Sequence, residues 1–435
     1  MNLRKLSLIA VSSLLACQLG VAQSAAPNHG MAASAIAKVN ATGKAVPVVP
    51  TSAVAGQAAA RPNVWLGKSL ASGLKLKPSI IGNSEPPFCE TVYGPYFIFC
   101  PKGITTAYGI SSIVGANGGA GQTIAIVDAY SYPNAEADLA QFDSDMGLPA
   151  CTTGNGCFTA INLSSTPSDG TGWDLESMLD LEYAHTMAPK AKIIYIQAAT
   201  NSYDDLGTAV DLGAGLADVV SNSWSGGEYP PDDFYWTVPK VLLFASGDYG
   251  SWPEQGYVGY PCSVGTVTCV GGTSLYVNGS LQRTSEAGWA DGGGGCSQEE
   301  PMPSYQGNNG SGQCYPYRAS PDIAADADPY TGVAVFINDG EWGDGYWIVG
   351  GTSLATPLTA GLVSDINTAR QSFGKSKLTF LNNDLYAGAS ANYGYFFYDV
   401  TTGNNGYPAT PQFDLVTGLG NLTGKDAANR FFGLP

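Results

Sequence analysis

Residues 175–197, LESMLDLEYAHTMAPKAKIIYIQ, run a helix into a buried strand. Leu175 to Met187 carries the helical pattern, the chain passes through Ala188-Pro189, and Ile193 to Gln197 is strand-like. The same alternation continues on either side. Upstream, Thr123 to Val127 is an apolar strand followed by a helical stretch from Ala135 to Met146. Downstream, Asp204 to Leu216 predicts a helix, Asp218 to Ser223 a strand, and Val241 to Ala245 another strand ending in Ser246-Gly247-Asp248. Continuous apolar strands alternating with helices predict an α/β fold: one large domain on a parallel sheet with helices on both faces. In such sheets reactive groups gather beyond the carboxyl ends of the strands. Asp128, Ser223, Asp248 and Ser353 all fall near such ends. After Asp248 the chain is richer in Gly, Tyr and Trp and less periodic, which predicts long loops walling a cleft. Gly292 to Gly295 is a flexible segment there, beside Cys296, and no internal repeat is visible.

A second stretch carries the chemistry. The apolar run Tyr346 to Val349 feeds Gly350-Gly351-Thr352-Ser353-Leu354-Ala355-Thr356-Pro357. Ser353 opens a helical pattern through Leu354, Leu358, Leu362 and Ile366. The first N–H groups of a helix have no intrahelical partner, and with the positive end of the dipole they can stabilise an oxyanion beside the serine. Pro357 is read as a first-turn proline, whose missing N–H breaks no helical bond. The competing reading makes Ser353 an ordinary N-cap.

A serine nucleophile needs a base. Of two histidines, His29 lies in the N-terminal region, and His185 sits nine residues from Glu176, on roughly the opposite helical face. His185 is therefore read as a packing or surface residue. Glu176 and Asp180 are spaced i, i+4 and share one face. A shared proton would remove their repulsion, letting the glutamate take the serine proton while the aspartate orients it. The alternative is a solvated acidic face that also includes Asp174 and Glu182.

The composition sets the compartment. The 435 residues are 44% hydrophobic and only 13% charged, with a formal net charge of −17. That charge argues against nucleic acid as a partner. Arg4 and Lys5 precede an apolar stretch from Leu6 to Val21 and small residues at Gly20, Ala22 and Ala25, so residues 1–25 read as an export signal. Leu14-Leu15-Ala16-Cys17 also has the form of a lipoprotein signal. A secreted or periplasmic protein is preferred to one lipid-anchored at Cys17, and no later segment looks membrane-spanning. Without Cys17, eight cysteines remain, and they fall into sequence-adjacent pairs: Cys89 with Cys100, Cys151 with Cys157, Cys262 with Cys269, and Cys296 with Cys314. Four local disulfides are expected, from about 105 conceivable connectivities. No CxxC or Cys/His cluster suggests a metal site. Residues 26–88, rich in Ala, Val, Pro, Gly and Ser, show no sustained helix or strand period and read as a leader or linker. Residues 89–435 are the expected folded domain.

From about Tyr93 onward the chain resembles the sedolisins, the serine-carboxyl peptidases with a subtilisin-like fold. Glu176-Ser-Met-Leu-Asp180 with Ala188-Pro189 is similar to the family's catalytic helix. Ala245-Ser246-Gly247-Asp248 is similar to its oxyanion-aspartate segment, Val270-Gly271-Gly272-Thr273-Ser274 to the strand beyond it, and Gly351-Thr352-Ser353 with Pro357 to its nucleophile motif. The resemblance implies Ser353 as nucleophile, Glu176 as general base and acid, Asp180 as its orienter, and Asp248 as an oxyanion donor with the Ser353 N–H. A carboxyl donates only when protonated, so activity at acid pH is expected. Asp128 is either structural or a supporting member. Phe397-Tyr-Asp399-Val400 and Phe413-Asp414-Leu resemble the family's calcium site. Asp399 and Asp414 would supply carboxylates, and Val400, Thr410 and Gln412 backbone carbonyls, a hard-oxygen set suited to Ca²⁺. The chain departs from the family at Thr410 and Gln412, where glycines are usual, and at Gly350, where serine is common. Residues 26–88 do not resemble the family's large folded propeptide. The expectation is a secreted, acid-acting, monomeric endopeptidase acting on protein or peptide, with a tripeptidyl exopeptidase as the nearest alternative. A catalytically silent binding protein and a two-carboxylate glycoside hydrolase are the competing classes.

Overall fold

Alternate side chains of the Thr123–Ala129 strand enter two separate apolar clusters. Ile124 and Ile126 face Leu175, Leu179, Leu354 and Leu358, while Ala125 and Val127 face Leu206, Ala209 and Val210. Successive strand residues point to opposite faces, so a strand covered on both sides must be apolar throughout. That is the physical reason for the continuous apolar runs. The computed structural model describes residues 37–38, 41–42, 44–47, 59–69 and 86–422, apart from 169–170, 257, 308–310 and 341. The export signal, Cys17 and His29 lie outside the described residues.

The main sheet has eight strands. In spatial order they are Arg283–Gly288, Thr268–Val277, Val241–Ala245, Val219–Asn222, Thr123–Ala129, Lys192–Ala198 and Phe158–Asn162, with Ile323–Asp326 also paired to Thr268–Val277. Only Arg283–Gly288 runs antiparallel to its neighbour. The helices Trp173–Met187 and Thr352–Ser372 cover one face, and Tyr203–Leu216 the other. This is the expected subtilisin-like α/β arrangement. Phe158–Asn162 carries no apolar run because it is an edge strand with Thr159, Ala160 and Asn162 exposed. The four sequence-adjacent disulfides are formed.

Two sequence expectations need correction. The region after Asp248 does contain long loops, but it is more regular than expected. It contains the ten-residue strand Thr268–Val277 and a long hairpin, Val333–Asp339 with Gly343–Gly350. The leader is likewise not irregular throughout. Trp65–Ser69 pairs antiparallel with Gly343–Gly350, Val46–Pro47 pairs on its other side, and Arg61–Pro62 pairs with Trp224–Ser225. Ala60, Asn63, Val64 and Leu66 are buried. These partners lie far away in sequence, so local composition carries no sign of them.

Candidate active site

Two helices in close contact set the site. Every residue of Trp173–Met187 is buried, so the solvated acidic face does not exist: Asp174, Glu176, Asp180 and Glu182 are all inside the protein. A Cβ added at Gly361 would stand 2.3 Å from the Met187 Cβ, so glycine there lets Thr352–Ser372 approach this helix closely. Gly351 is the N-cap of the second helix, with φ of 111°. A side chain on it would meet the Asn63 carbonyl oxygen at 2.1 Å and Asp248 Oδ2 at 2.6 Å.

Ser353 is the second residue of this helix, and Pro357 lies inside the helix, past the first turn. The first-turn reading of Pro357 is therefore corrected. A proline at 357 removes the N–H that would bond the Ser353 carbonyl, and the Ser223 hydroxyl donates to that carbonyl instead, at 3.3 Å. The same hydroxyl lies 2.7 Å from Asp180 Oδ1. The Ser353 hydroxyl donates to the Ser223 carbonyl at 2.9 Å.

Glu176 and Asp180 both face this corner. Burial pushes the pKa of Glu176 well above the usual carboxylate range, and the charges of Asp180 and Asp128 push the same way. The nearby Ser353 hydroxyl favours its anion, although the best-formed hydrogen bond of that hydroxyl goes to Ser223. Asp180 is raised by burial and then by Asp128. Asp128 itself is pushed to about 7 by burial, against the lowering effect of the Ser177 hydroxyl. Three carboxyl groups held this close out of water cannot all ionise, so their protons are shared and lost in steps.

Asp248, beyond the Val241–Ala245 strand, accepts at Oδ1 from the Thr352 N–H (2.8 Å) and hydroxyl (2.7 Å). Its Oδ2 is buried and has no hydrogen-bond partner among the described residues. Burial raises its pKa to about 8, more than the Thr352 donors lower it. Burial thus favours the neutral carboxyl, in which Oδ2 is the oxygen free to carry a donor proton. Thr352 is a functional neighbour that sequence reasoning missed, although it adjoins Ser353.

Ser353 N–H already has an acceptor. It donates to the carbonyl of Asn63 at 3.2 Å, and Asn63 N–H donates to the Ser223 carbonyl, also at 3.2 Å. The Asn63 side-chain oxygen accepts from Ser225 Oγ at 3.0 Å. Trp65 Nε1 donates to the Asp248 carbonyl at 3.3 Å. Residues 59–65 thus run through the site, and nothing in the irregular composition of 26–88 signals it.

His185 is buried rather than on the surface. Its Nε2 lies 2.7 Å from the Pro149 carbonyl and 3.4 Å from Asp143 Oδ1, and burial lowers its pKa to about 4. Cys151 and Cys157 approach it, but their sulfurs are bonded to each other and cannot serve as thiolate ligands.

The calcium candidates converge near the C-terminal end of the described chain. Asp399 Oδ1 accepts from the Tyr393 hydroxyl and the Gln412 N–H, each at 3.0 Å. Asp414 accepts from the N–H groups of Thr410, Val416 and Thr417 at 2.7–2.9 Å. The loop carrying Thr410 and Gln412 therefore bridges both carboxylates. Gln412 adopts φ of 68°, the left-handed conformation that glycine takes most easily. Two carboxylates held by one loop offer hard oxygens close together, and their recorded partners here are N–H and hydroxyl donors.

The subtilase family matches residues 158–386, more than half of the chain. Kumamolisin from Bacillus sp. (strain MN-32) is 34% identical over 351 residues, covering 70% of this chain and 59% of kumamolisin. Sedolisin from Pseudomonas sp. (strain 101) is 28% identical over 372 residues, covering 74% of this chain and 59% of sedolisin. The chain thus spans about three-fifths of the length of these two curated relatives. A solved structure of Pseudomonas sedolisin, a serine-carboxyl proteinase bound to pseudo-iodotyrostatin, aligns with a TM-score of 0.63 at 24% identity, covering 76% of this chain and 96% of that one.

Proposed function

The chain belongs to the subtilase family, in its sedolisin branch, and from that premise we propose that it is an exported serine-carboxyl endopeptidase. Ser353 attacks the scissile carbonyl once its hydroxyl turns from the Ser223 carbonyl toward Glu176. Glu176, as anion, takes the proton and returns it to the leaving amine. Asp180, tied to Ser223 at 2.7 Å, holds the pair in register. The oxyanion is met by the Ser353 N–H and by the proton on Asp248 Oδ2. The observation that carries this reading is the buried Asp248 carboxyl, anchored through Oδ1 by Thr352 and, among the described residues, without a partner at Oδ2 on the side of the Asn63 carbonyl that takes the Ser353 N–H.

Endopeptidase action is favoured over tripeptide release by the cleft itself. Residues 59–63 lie on one side of the Ser353 N–H, paired with Asn201–Ser202 and Trp224–Ser225. That is more chain than a tripeptidyl site would admit. A peptide with an acetylated amino terminus should therefore be cut internally. Cleavage only of peptides with free amino termini, three residues at a time, would reverse the assignment.

Asp399 and Asp414, with the carbonyls of Val400, Thr410 and Gln412, would hold Ca²⁺ and tie the C-terminal loops together. Removing calcium with a chelator should lower the melting temperature, and Asp399→Ala should erase the calcium response. Identical melting curves with and without chelator, and no bound metal, would count against the site. Four disulfides suit an oxidising compartment, consistent with export.

A further inference from the structure

We propose that the cleft selects peptides with asparagine on the acyl side of the bond it cuts, and that the Ser225 hydroxyl reads that side chain. The proposal rests on the peptidase reading above and names a substrate feature which that reading leaves open. Residues 59–63 stand in for the acyl half of a bound peptide. The Ser353 N–H donates to the Asn63 carbonyl, and the Asn63 N–H donates to the Ser223 carbonyl, each at 3.2 Å. Arg61–Pro62 pairs antiparallel with Trp224–Ser225, and the Ala60 N–H donates to the Asn201 carbonyl at 2.9 Å. Strand pairing of this kind fixes the register of an extended peptide and leaves its side chains to be read by pockets. The register places residue 63 where the carbonyl under attack lies. Its side chain therefore occupies the pocket for the residue before the cut.

That side chain is enclosed. Asn63 is 1% exposed and Ser225 0%. Ser225 Oγ donates to Asn63 Oδ1 at 3.0 Å. Asn63 Nδ2 is buried and has no hydrogen-bond partner among the described residues. The pocket thus offers a donor for one oxygen on the γ carbon. Ser225 is held in place on both sides along the chain. Trp224 before it is buried and donates through Nε1 to the Val127 carbonyl at 2.9 Å. Gly226 after it exchanges both backbone hydrogen bonds with Tyr260, each at 3.0 Å.

This arrangement decides between side chains of similar shape. Asparagine and leucine both branch at the γ carbon. Leucine gains from apolar burial but leaves the Ser225 hydroxyl without a partner out of water, whereas asparagine accepts its proton. A site built to hydrogen-bond a substrate rejects the analogue that lacks the bonding group. Aspartate offers the same oxygen while its carboxyl is neutral. Once ionised it brings a charge into a closed pocket that holds no cation to pair with it among the contacts of Asn63 and Ser225. Aspartate is therefore accepted only at low pH.

The test uses the full chain at acid pH and acetylated peptides Ala-Arg-Pro-X-Val-Trp, the order of residues 60–65 with X varied as asparagine, aspartate or leucine. Cuts are located by mass. Values of kcat/KM are compared as ratios between peptides on one preparation, which cancels any difference in folded fraction between variants. Wild type should cut after X and favour asparagine over leucine by about tenfold. Ser225→Ala should remove that preference. The aspartate peptide should match the asparagine peptide at low pH and fall behind it as its carboxyl ionises above about pH 4. Leucine preferred by wild type, or an asparagine-to-leucine ratio unchanged in Ser225→Ala, would overturn the proposal and leave the peptidase reading standing. An aspartate-to-asparagine ratio that ignores pH would also overturn it, by showing that the pocket does not enclose the side chain. Failure of wild type to cut any of the peptides would remove the peptidase reading too.

Discussion

Replacing Ser353 with alanine abolishes peptide hydrolysis while the protein keeps its fold and its melting behaviour. The loss is large because the nucleophile acts with its base as a unit; in a hydrolase of this kind it is on the order of a millionfold in turnover. The fold tolerates the change because the best-formed hydrogen bond of the Ser353 hydroxyl goes to a carbonyl that also takes the Asn63 N–H. Glu176→Gln should fall nearly as far, since the amide cannot accept the proton. His185→Ala should leave turnover per folded molecule unchanged, because that ring faces Pro149 and Asp143. Circular dichroism and steady-state rates on one peptide check all three. Ser353→Ala with near-normal turnover would remove the mechanism.

Asp248→Ala should lose about a hundred- to a thousandfold in turnover, the usual effect of removing one oxyanion donor. Asp248→Asn should lose less, because it keeps an N–H donor. The pH dependence separates these variants further. The wild-type carboxyl donates only while protonated, so activity falls as pH rises through its pKa. Burial is the main cause that raises that pKa, to about 8. The wild-type alkaline limb is therefore expected no higher than about 8. The acid limb belongs to the first proton lost from Glu176, Asp180 and Asp128, and should remain in Asp248→Asn while the alkaline limb disappears. Rate profiles of the three proteins, with folding checked at each pH, decide this. An Asp248→Ala enzyme of full activity would show that the carboxyl has no such role.

Much of the site was legible because its parts sit at fixed places in a repeating pattern. A strand end carries Asp248, a helix start carries Ser353, and an i, i+4 pair puts Glu176 and Asp180 on one face. The local disulfides were readable for a related reason: each closes a short loop between neighbouring cysteines. What periodicity could not tell was which side of a charged helix is wet. Trp173–Met187 is packed on every side, and its acids look the same in sequence as a solvated face would. The position of Pro357 depends on where the helix starts, and boundaries are the least readable feature. The passage of residues 59–69 through the site was illegible because its partners, Trp224–Ser225 and Gly343–Gly350, lie far along the chain.

The central claim is that peptide hydrolysis here passes through an ester on Ser353 formed with a carboxylate base. Its most direct measurement is acid quenching of the protein during turnover of an activated peptide ester, followed by proteolytic mapping by mass. The account predicts the acyl group on the fragment that contains Ser353, and no such mass in Ser353→Ala or Glu176→Gln. Turnover with no acylated fragment, or an acyl group on any other residue, would contradict it.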